Sequence, residues 1–154
     1  MNPGSEMSAP EKATPSESRS KLPFAARNIR FEAGENRYWY GGDPAVSAYF
    51  NALSALFPAG ETFFCDSVRA LRDRTGDPKL QAEIKEFLAQ EAIHSREHHL
   101  YNKRIEAFGF PMDKLERRSA RMQSVGYKLP KKLQLGLTVA LEHAVVIGFP
   151  AQLG

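Results

Sequence analysis

The feature that most constrains the fold is a long apolar stripe that carries three polar side chains in its middle. Its members recur at alternating steps of four and three, which keeps them on one face of an α-helix: Leu80, Ile84, Phe87, Glu91, His94, His98, Tyr101, Ile105 and Phe108. A buried large apolar side chain contributes roughly 1.5 to 3 kcal/mol, whereas an unpaired buried carboxylate costs several kcal/mol. The stripe therefore predicts a long helix against a core, in which the acid and the two imidazoles need a compensating partner. A metal ion is the best such partner.

Length and composition predict one globular domain. The chain has 154 residues, of which 42% are hydrophobic and 25% charged, and no strand pattern competes with helices. The net charge of +3 is too small to indicate nucleic acid, and no nucleic-acid motif accompanies it. Cys65 is the only cysteine, so no internal disulfide is possible. No apolar run is long enough for a membrane span or an export signal, so we expect a cytoplasmic protein. From the small net charge and the missing motif, we expect no nucleic-acid partner.

Turn and cap residues divide the chain into a tail and three long helices. Residues 1–23 are rich in Ser, Pro, Glu and Lys and are expected to form a disordered tail before a helical domain over 24–154. The first helix should run from Asp43 or Pro44 to about Thr75, and a short link predicts that the second is antiparallel to it. The remaining predicted bounds are about 77–108 for the second helix and 131–148 for the third.

A basic stretch separates the last two predicted helices. Between Lys114 and Lys132 it holds seven basic residues against Glu116 alone. A solvated helix face followed by a loop is the favoured interpretation, and a site for anionic ligands or a partner is the alternative.

Inward-facing acids recur on all three predicted helices. Glu61 occupies an apolar face of the first, just after Pro58-Ala59-Gly60, where a kink or a close helix approach is expected. Glu142 interrupts the apolar face of the third. Glu91-x-x-His94 places an acid and an imidazole on one face of the second, which is typical of dimetal carboxylate sites in four-helix bundles. Oxygen ligands with one imidazole favour iron or manganese over a thiolate-rich structural zinc site.

Each of these residues also has a simpler interpretation. The acids can be buried ion-pair partners of Arg69, Arg72 or Arg96 in a purely structural bundle. His98 lies one turn beyond His94 and is open to three roles: a further ligand, an acid/base, or the favoured one, a partner of the ligands.

Four neighbouring residues receive structural interpretations. Glu97 and His99 fall one step off the stripe and are expected at the helix surface. Tyr101 is interpreted as a core tyrosine and Cys65 as a small buried hydrophobe.

Two sequence segments resemble a known family. The first is Asn51-Ala-Leu-Ser-Ala-Leu-Phe-Pro-Ala-Gly-Glu-Thr-Phe-Phe64 followed by Ser67-Val-Arg69, and the second is Gln90-Glu-Ala-Ile-His-Ser-Arg-Glu-His98. They are similar to the bacterial family of predicted metal-dependent hydrolases, over about 29–143. The resemblance implies an all-α, ferritin-like antiparallel helical bundle. It also implies a two-ion site of Glu61, Glu91, His94 and Glu142, with His98 close by. If the metals activate a water, His98 is the candidate catalytic proton carrier.

The resemblance also implies parts that this chain does not contain. Family members continue into a fourth helix with further ligands, whereas this sequence ends at Gly154 after an unhelical run from Gly148. The bundle is therefore expected to be partial, with three long helices, and association into a homo-oligomer is one way to complete it. The expected function is metal-dependent hydrolysis of a small molecule. A di-iron oxidase or oxygenase, and a non-catalytic structural or metal-storage bundle, are the alternatives.

Overall fold

The fold is all-helical, as the sequence predicts. The structure is a computed structural model that describes residues 25–31 and 35–148, with side chains up to Val145. Over these residues it contains no strand. The predicted tail, 1–23, and the run after Gly148 lie outside the described residues. The α-helices, numbered α1 to α5, are Pro44–Ser54, Phe57–Arg69, Pro78–Ala107, Met112–Gln123 and Lys131–Gly148, with 3-10 turns at Arg72–Arg74 and Ser124–Lys128.

The structure divides the first predicted helix into two helices, α1 and α2. The second of these, α2, ends at Arg69, whereas the predicted helix was to end near Thr75. The predicted start is confirmed, because Asp43 accepts hydrogen bonds from the amides of Ala45 and Val46. The break has a local cause. Pro58 has no N–H to donate to the carbonyl of Ser54, the acceptor one turn before it. That carbonyl instead accepts from the side-chain amide of Asn102 on α3 at 3.3 Å.

The helix that carries the stripe, α3, closely follows the prediction. It begins at Pro78 after an Asp77 cap and ends at Ala107. It is antiparallel to α2, because the Phe57 ring at the start of α2 stacks on His98, whereas the Arg72 carbonyl beyond its end accepts from Gln81. The basic stretch after α3 forms α4 and a 3-10 turn, which agrees with a helix face followed by a loop.

The apolar core lies at the far end of α3 from Leu80. Ala55, Tyr101, Ile105 and Met112 form its buried centre. Leu80, at the other end of the stripe, is 41% exposed, because α5 leaves an open cavity beside it. No helix among the described residues is long and apolar enough to cross a membrane.

An extended segment, residues 25–31, lies along α3, and we call it the strap. Its backbone amides donate to three side chains of α3: Ala26 to Glu86 at 2.8 Å, Arg27 to Gln90 at 2.8 Å and Phe31 to Glu97 at 3.0 Å. The strap thereby places Phe31 over the middle of α3, where its ring contacts both His94 and His98.

Candidate metal centre

Glu61 is the centre of the candidate site. The restart of the chain at Phe57 places it in the second turn of α2, where it faces α3 and is only 3% exposed. Its Oε1 lies 3.9 Å from His94 Nδ1 and 4.0 Å from His98 Nε2. Its Oε2 is one of two buried side-chain polar atoms without a hydrogen-bond partner in the described part of the chain, the other being Asn51 Nδ2. Such atoms are rare in native interiors and are expected to meet a water or a ligand.

Glu91 and Glu142 are coupled to Glu61 through their charges, and we call these three acids the carboxylate cluster. Burial and then the charge of Glu91 raise the pKa of Glu61 from 4.5 to about 8; a hydrogen bond with Ser95 acts in the opposite direction, and the charge of Glu142 adds a smaller increase. Burial and then the charge of Glu142 raise the pKa of Glu91 to about 7. Burial also raises the pKa of Glu142. Three acids that disfavour one another's ionisation are stabilised when a cation joins them.

Both imidazoles beside the cluster favour the neutral form. Burial and the charge of Arg27 lower the pKa of His94. Burial and the neighbouring His94 lower the pKa of His98 to about 4. Neutral imidazole is the form in which histidine binds metal ions.

Three cavities reach these residues from different sides. A polar cavity of about 470 Å³ is lined by Glu61 and Glu91. An apolar cavity of about 460 Å³, between α3 and α5, contains Glu142. A smaller apolar cavity of about 270 Å³ lies beside His98 and is lined by aromatic rings, among them Phe31 and Phe57. Glu142 therefore joins the cluster electrostatically but opens on a different cavity from Glu61.

The donor set fits a metal ion, although the cage is incomplete. Over residues 25–31 and 35–148, no group of three or more His, Cys, Asp or Glu side chains is arranged to hold an ion. Separations of 3.9 and 4.0 Å are too long for hydrogen bonds. They lie below the upper limit of about 4.2 Å that metal–ligand distances of about 2.1 Å set for two ligands on opposite sides of one ion. The unpartnered oxygen of Glu61 provides the second argument for the fit.

Residues 25–148 match the sequence model of a family described as predicted metal-dependent hydrolase. The chain belongs to this family. The match confirms the resemblance found in the sequence, and the family description implies dependence on a metal. No curated protein and no solved structure matches the chain. The ferritin-like arrangement and the number of ions stay predictions.

For this family member, the arginines named in the ion-pair alternative have other partners. Arg69 pairs with Asp66 at 3.2 Å, Arg72 with Asp73 at 3.3 Å and Arg96 with Glu97 at 2.8 Å. Within the described residues, no ion pair joins an arginine to the carboxylate cluster, and the basic groups nearest Glu61 Oε1 are the imidazoles of His94 and His98.

The surface placement predicted for Glu97 is wrong. Glu97 is 2% exposed, because the strap covers it and the Phe31 amide donates to it. The signal was present in the sequence, since Glu86, Gln90 and Glu97 are spaced by four and seven and share a helix face. Their polarity made that face resemble a solvated surface.

The other neighbouring residues behave as predicted. His99 is exposed. Tyr101 is a core tyrosine whose hydroxyl donates to Asn51 Oδ1 at 2.6 Å. Cys65 is buried, and burial raises its thiol pKa to about 11, which makes it a poor nucleophile.

Proposed function

We propose that this chain is a metal-dependent hydrolase that acts on a small molecule at a centre held by Glu61, Glu91, His94 and Glu142. One observation carries the proposal: a carboxylate oxygen of Glu61 is buried without a partner, beside two neutral imidazoles. Family membership supports the metal dependence and the hydrolysis. The all-oxygen and imidazole donor set favours iron or manganese, and two ions are expected in the complete site.

The residues around the centre have distinct roles in this proposal. A bound divalent ion would supply an activated water and an electrophile for the bond that is broken. The carboxylate cluster would hold the cationic charge in a buried setting, where the ion offsets both the burial and the weaker mutual repulsion that raise the pKa values of Glu61 and Glu91. His98 Nε2 faces Glu61, so its lone pair is available there to bind the ion as a further ligand or to accept a proton.

The cavities support a small substrate with two kinds of surface. The polar cavity leads to Glu61 and Glu91 and admits water and the scissile group. The aromatic cavity beside His98 has room for an apolar part of the molecule.

Metal analysis of protein purified without chelator tests the proposal. We expect about one or two iron or manganese ions per chain, and their loss in the double variant Glu91→Ala with His94→Ala. Glu106→Ala, which removes an acid of α3 that pairs with Lys103 and lines none of the three cavities, is the matched control and should retain the metal. A folded wild-type protein without metal, or equal metal in the double variant, would overturn the assignment. Ultraviolet-visible spectra recorded before and after air is admitted to the reduced protein address the oxygen-chemistry alternative: a new absorption band that develops rapidly on exposure would favour an oxygen-activating iron pair, and an unchanged spectrum would favour hydrolysis.

A further inference from the structure

We propose that Ser54, Asn102 and Glu116 are positioning residues that fix the tautomer of His98. They hold the ring with its N–H on Nδ1, so that the lone pair of Nε2 faces Glu61. The assignment of the Nδ1–H tautomer needs only the hydrogen bonds of these residues. Its effect on metal binding rests on the function proposed above.

The hydrogen bonds that link Glu116, Asn102, Ser54 and His98 form a chain that we call the relay. Asn102 determines which atoms donate and which accept along it. Its Nδ2 donates to the Glu116 carboxylate at 2.7 Å and to the Ser54 carbonyl at 3.3 Å. Both partners are acceptors, so the amide nitrogen must lie on that side. Its Oδ1 is therefore the atom that faces the hydroxyl of Ser54, at 2.7 Å.

Ser54 transmits this direction to the imidazole. A hydroxyl has one hydrogen, and the hydrogen of Ser54 is donated to Asn102. Ser54 Oγ can therefore only accept from His98 Nδ1, which lies 2.9 Å away. His98 consequently carries its hydrogen on Nδ1, and Nε2 keeps its lone pair.

The ring is held so that this lone pair is directed at the candidate centre. Nε2 lies 4.0 Å from Glu61 Oε1, and the ring stacks on Phe57 with centroids 4.4 Å apart. Metal-binding histidines commonly donate their other N–H to an oxygen that sets their tautomer and orientation. Here the oxygen belongs to a serine on α1, and the chain of bonds ends at Glu116 on α4. Helices α1 and α4 carry no candidate ligand, but through Ser54 and Glu116 they keep the lone pair of His98 Nε2 available to bind an ion.

Nitrogen-15 NMR of the imidazoles in the metal-free full chain tests the tautomer directly. In the wild type we expect His98 to be protonated on Nδ1 and not on Nε2. Ser54→Ala removes the acceptor of that N–H, so a substantial Nε2–H population should appear. Ser119→Ala is the matched control: it also removes a buried serine hydroxyl, one that accepts from Gln123 Nε2 and has no contact with His98. A wild-type His98 protonated on Nε2, or a tautomer unchanged in Ser54→Ala, would overturn the proposal.

Manganese titration then measures the consequence of the tautomer. Loss of a partner that orients a ligand weakens binding by roughly 10- to 100-fold. We expect a loss of that size in Ser54→Ala, a smaller one in Glu116→Ala, and none in Ser119→Ala. Equal affinity in all three would overturn the positioning role. The wild-type tautomer is read without metal, so failure of the proposed metal centre leaves that result intact and the two failures are distinguishable.

Discussion

Two buried glutamates, Glu97 and Glu61, are almost equally hidden from solvent and have opposite electrostatics. Glu97 is 2% exposed, and its pKa is lowered, first by the hydrogen bond from the Phe31 amide and then by Arg96 and Arg30. Glu61 is 3% exposed, and its pKa is raised to about 8 by burial and by Glu91. Burial alone therefore does not decide the state of an acid in this protein; its partners do. Glu97 secures the strap, whereas one carboxylate oxygen of Glu61 lacks a partner, which a cation would provide.

The largest expected effect is a stability change of opposite sign at these two acids. The folded pKa of Glu61 lies above its ordinary value of 4.5, so its contribution is full below about pH 4.5 and is lost as the pH rises through about 8. Glu61→Gln in the metal-free protein should therefore raise the free energy of unfolding at pH 8 by on the order of 2 kcal/mol. Urea unfolding at pH 5 and pH 8 measures this, and the gain should be smaller at pH 5.

Glu97→Gln is the matched control for that experiment. Its pKa is lowered, so its contribution is present above the ordinary value of 4.5 and is lost as the pH falls. The variant should lower the free energy of unfolding at pH 8. If both substitutions change stability in the same direction at pH 8, the contrast between partnered and unpartnered acids is wrong.

The buried hydroxyl of Tyr101 is an uncharged group that has a hydrogen-bond partner, and its removal should change the free energy of unfolding less than the Glu61 substitution does. The Tyr101 hydroxyl donates to Asn51 Oδ1, which also accepts from Trp39. Tyr101→Phe should lower the free energy of unfolding by about 1 kcal/mol, the usual net value of a buried hydrogen bond. Tyr127→Phe, at a residue 40% exposed whose hydroxyl donates to Asp66, should cost less. Thermal unfolding of both variants checks the order, and equal costs would argue against the importance of burial here.

The smallest expected effect is at an exposed ion pair. Arg69 is half exposed and pairs with Asp66. Arg69→Ala should change the free energy of unfolding by less than about 1 kcal/mol, as is usual for surface pairs. In a structural bundle whose buried acids rely on this arginine, the same substitution should cost roughly 3 kcal/mol or more. Denaturant unfolding distinguishes the two values.

The sequence predicts the parts of the fold and site that follow from helical spacing. The stripe on α3 correctly placed Tyr101 and Ile105 in the core, and it singled out the histidines that approach Glu61. The proline near Glu61 indicated a distortion, but the sequence did not show that it would separate two helices. The Ser54 carbonyl that Pro58 leaves without its helical donor is instead satisfied from another helix, by the side-chain amide of Asn102, and the sequence does not reveal that donor.

Contacts between distant segments account for what the sequence did not predict. The partner of Glu97 is an amide 66 residues away, and no periodicity within α3 reveals it. The relay from Glu116 to His98 likewise joins three helices through polar side chains that have no distinctive spacing. The ferritin-like arrangement, the two-ion site and the cytoplasmic location stay predictions.

Manganese titration of the metal-free wild type, Glu61→Gln and Glu97→Gln, measured side by side, tests whether Glu61 is the centre of a metal site. We expect the wild type and Glu97→Gln to bind with the same affinity, because Glu97 is already satisfied by the strap. Glu61→Gln should lose more affinity than the roughly 10- to 100-fold that follows loss of a partner that only orients a ligand, since it loses a charged ligand. Equal affinities for Glu61→Gln and the wild type, or no binding to a folded wild-type protein, would contradict the assignment of Glu61 as the centre of a metal site.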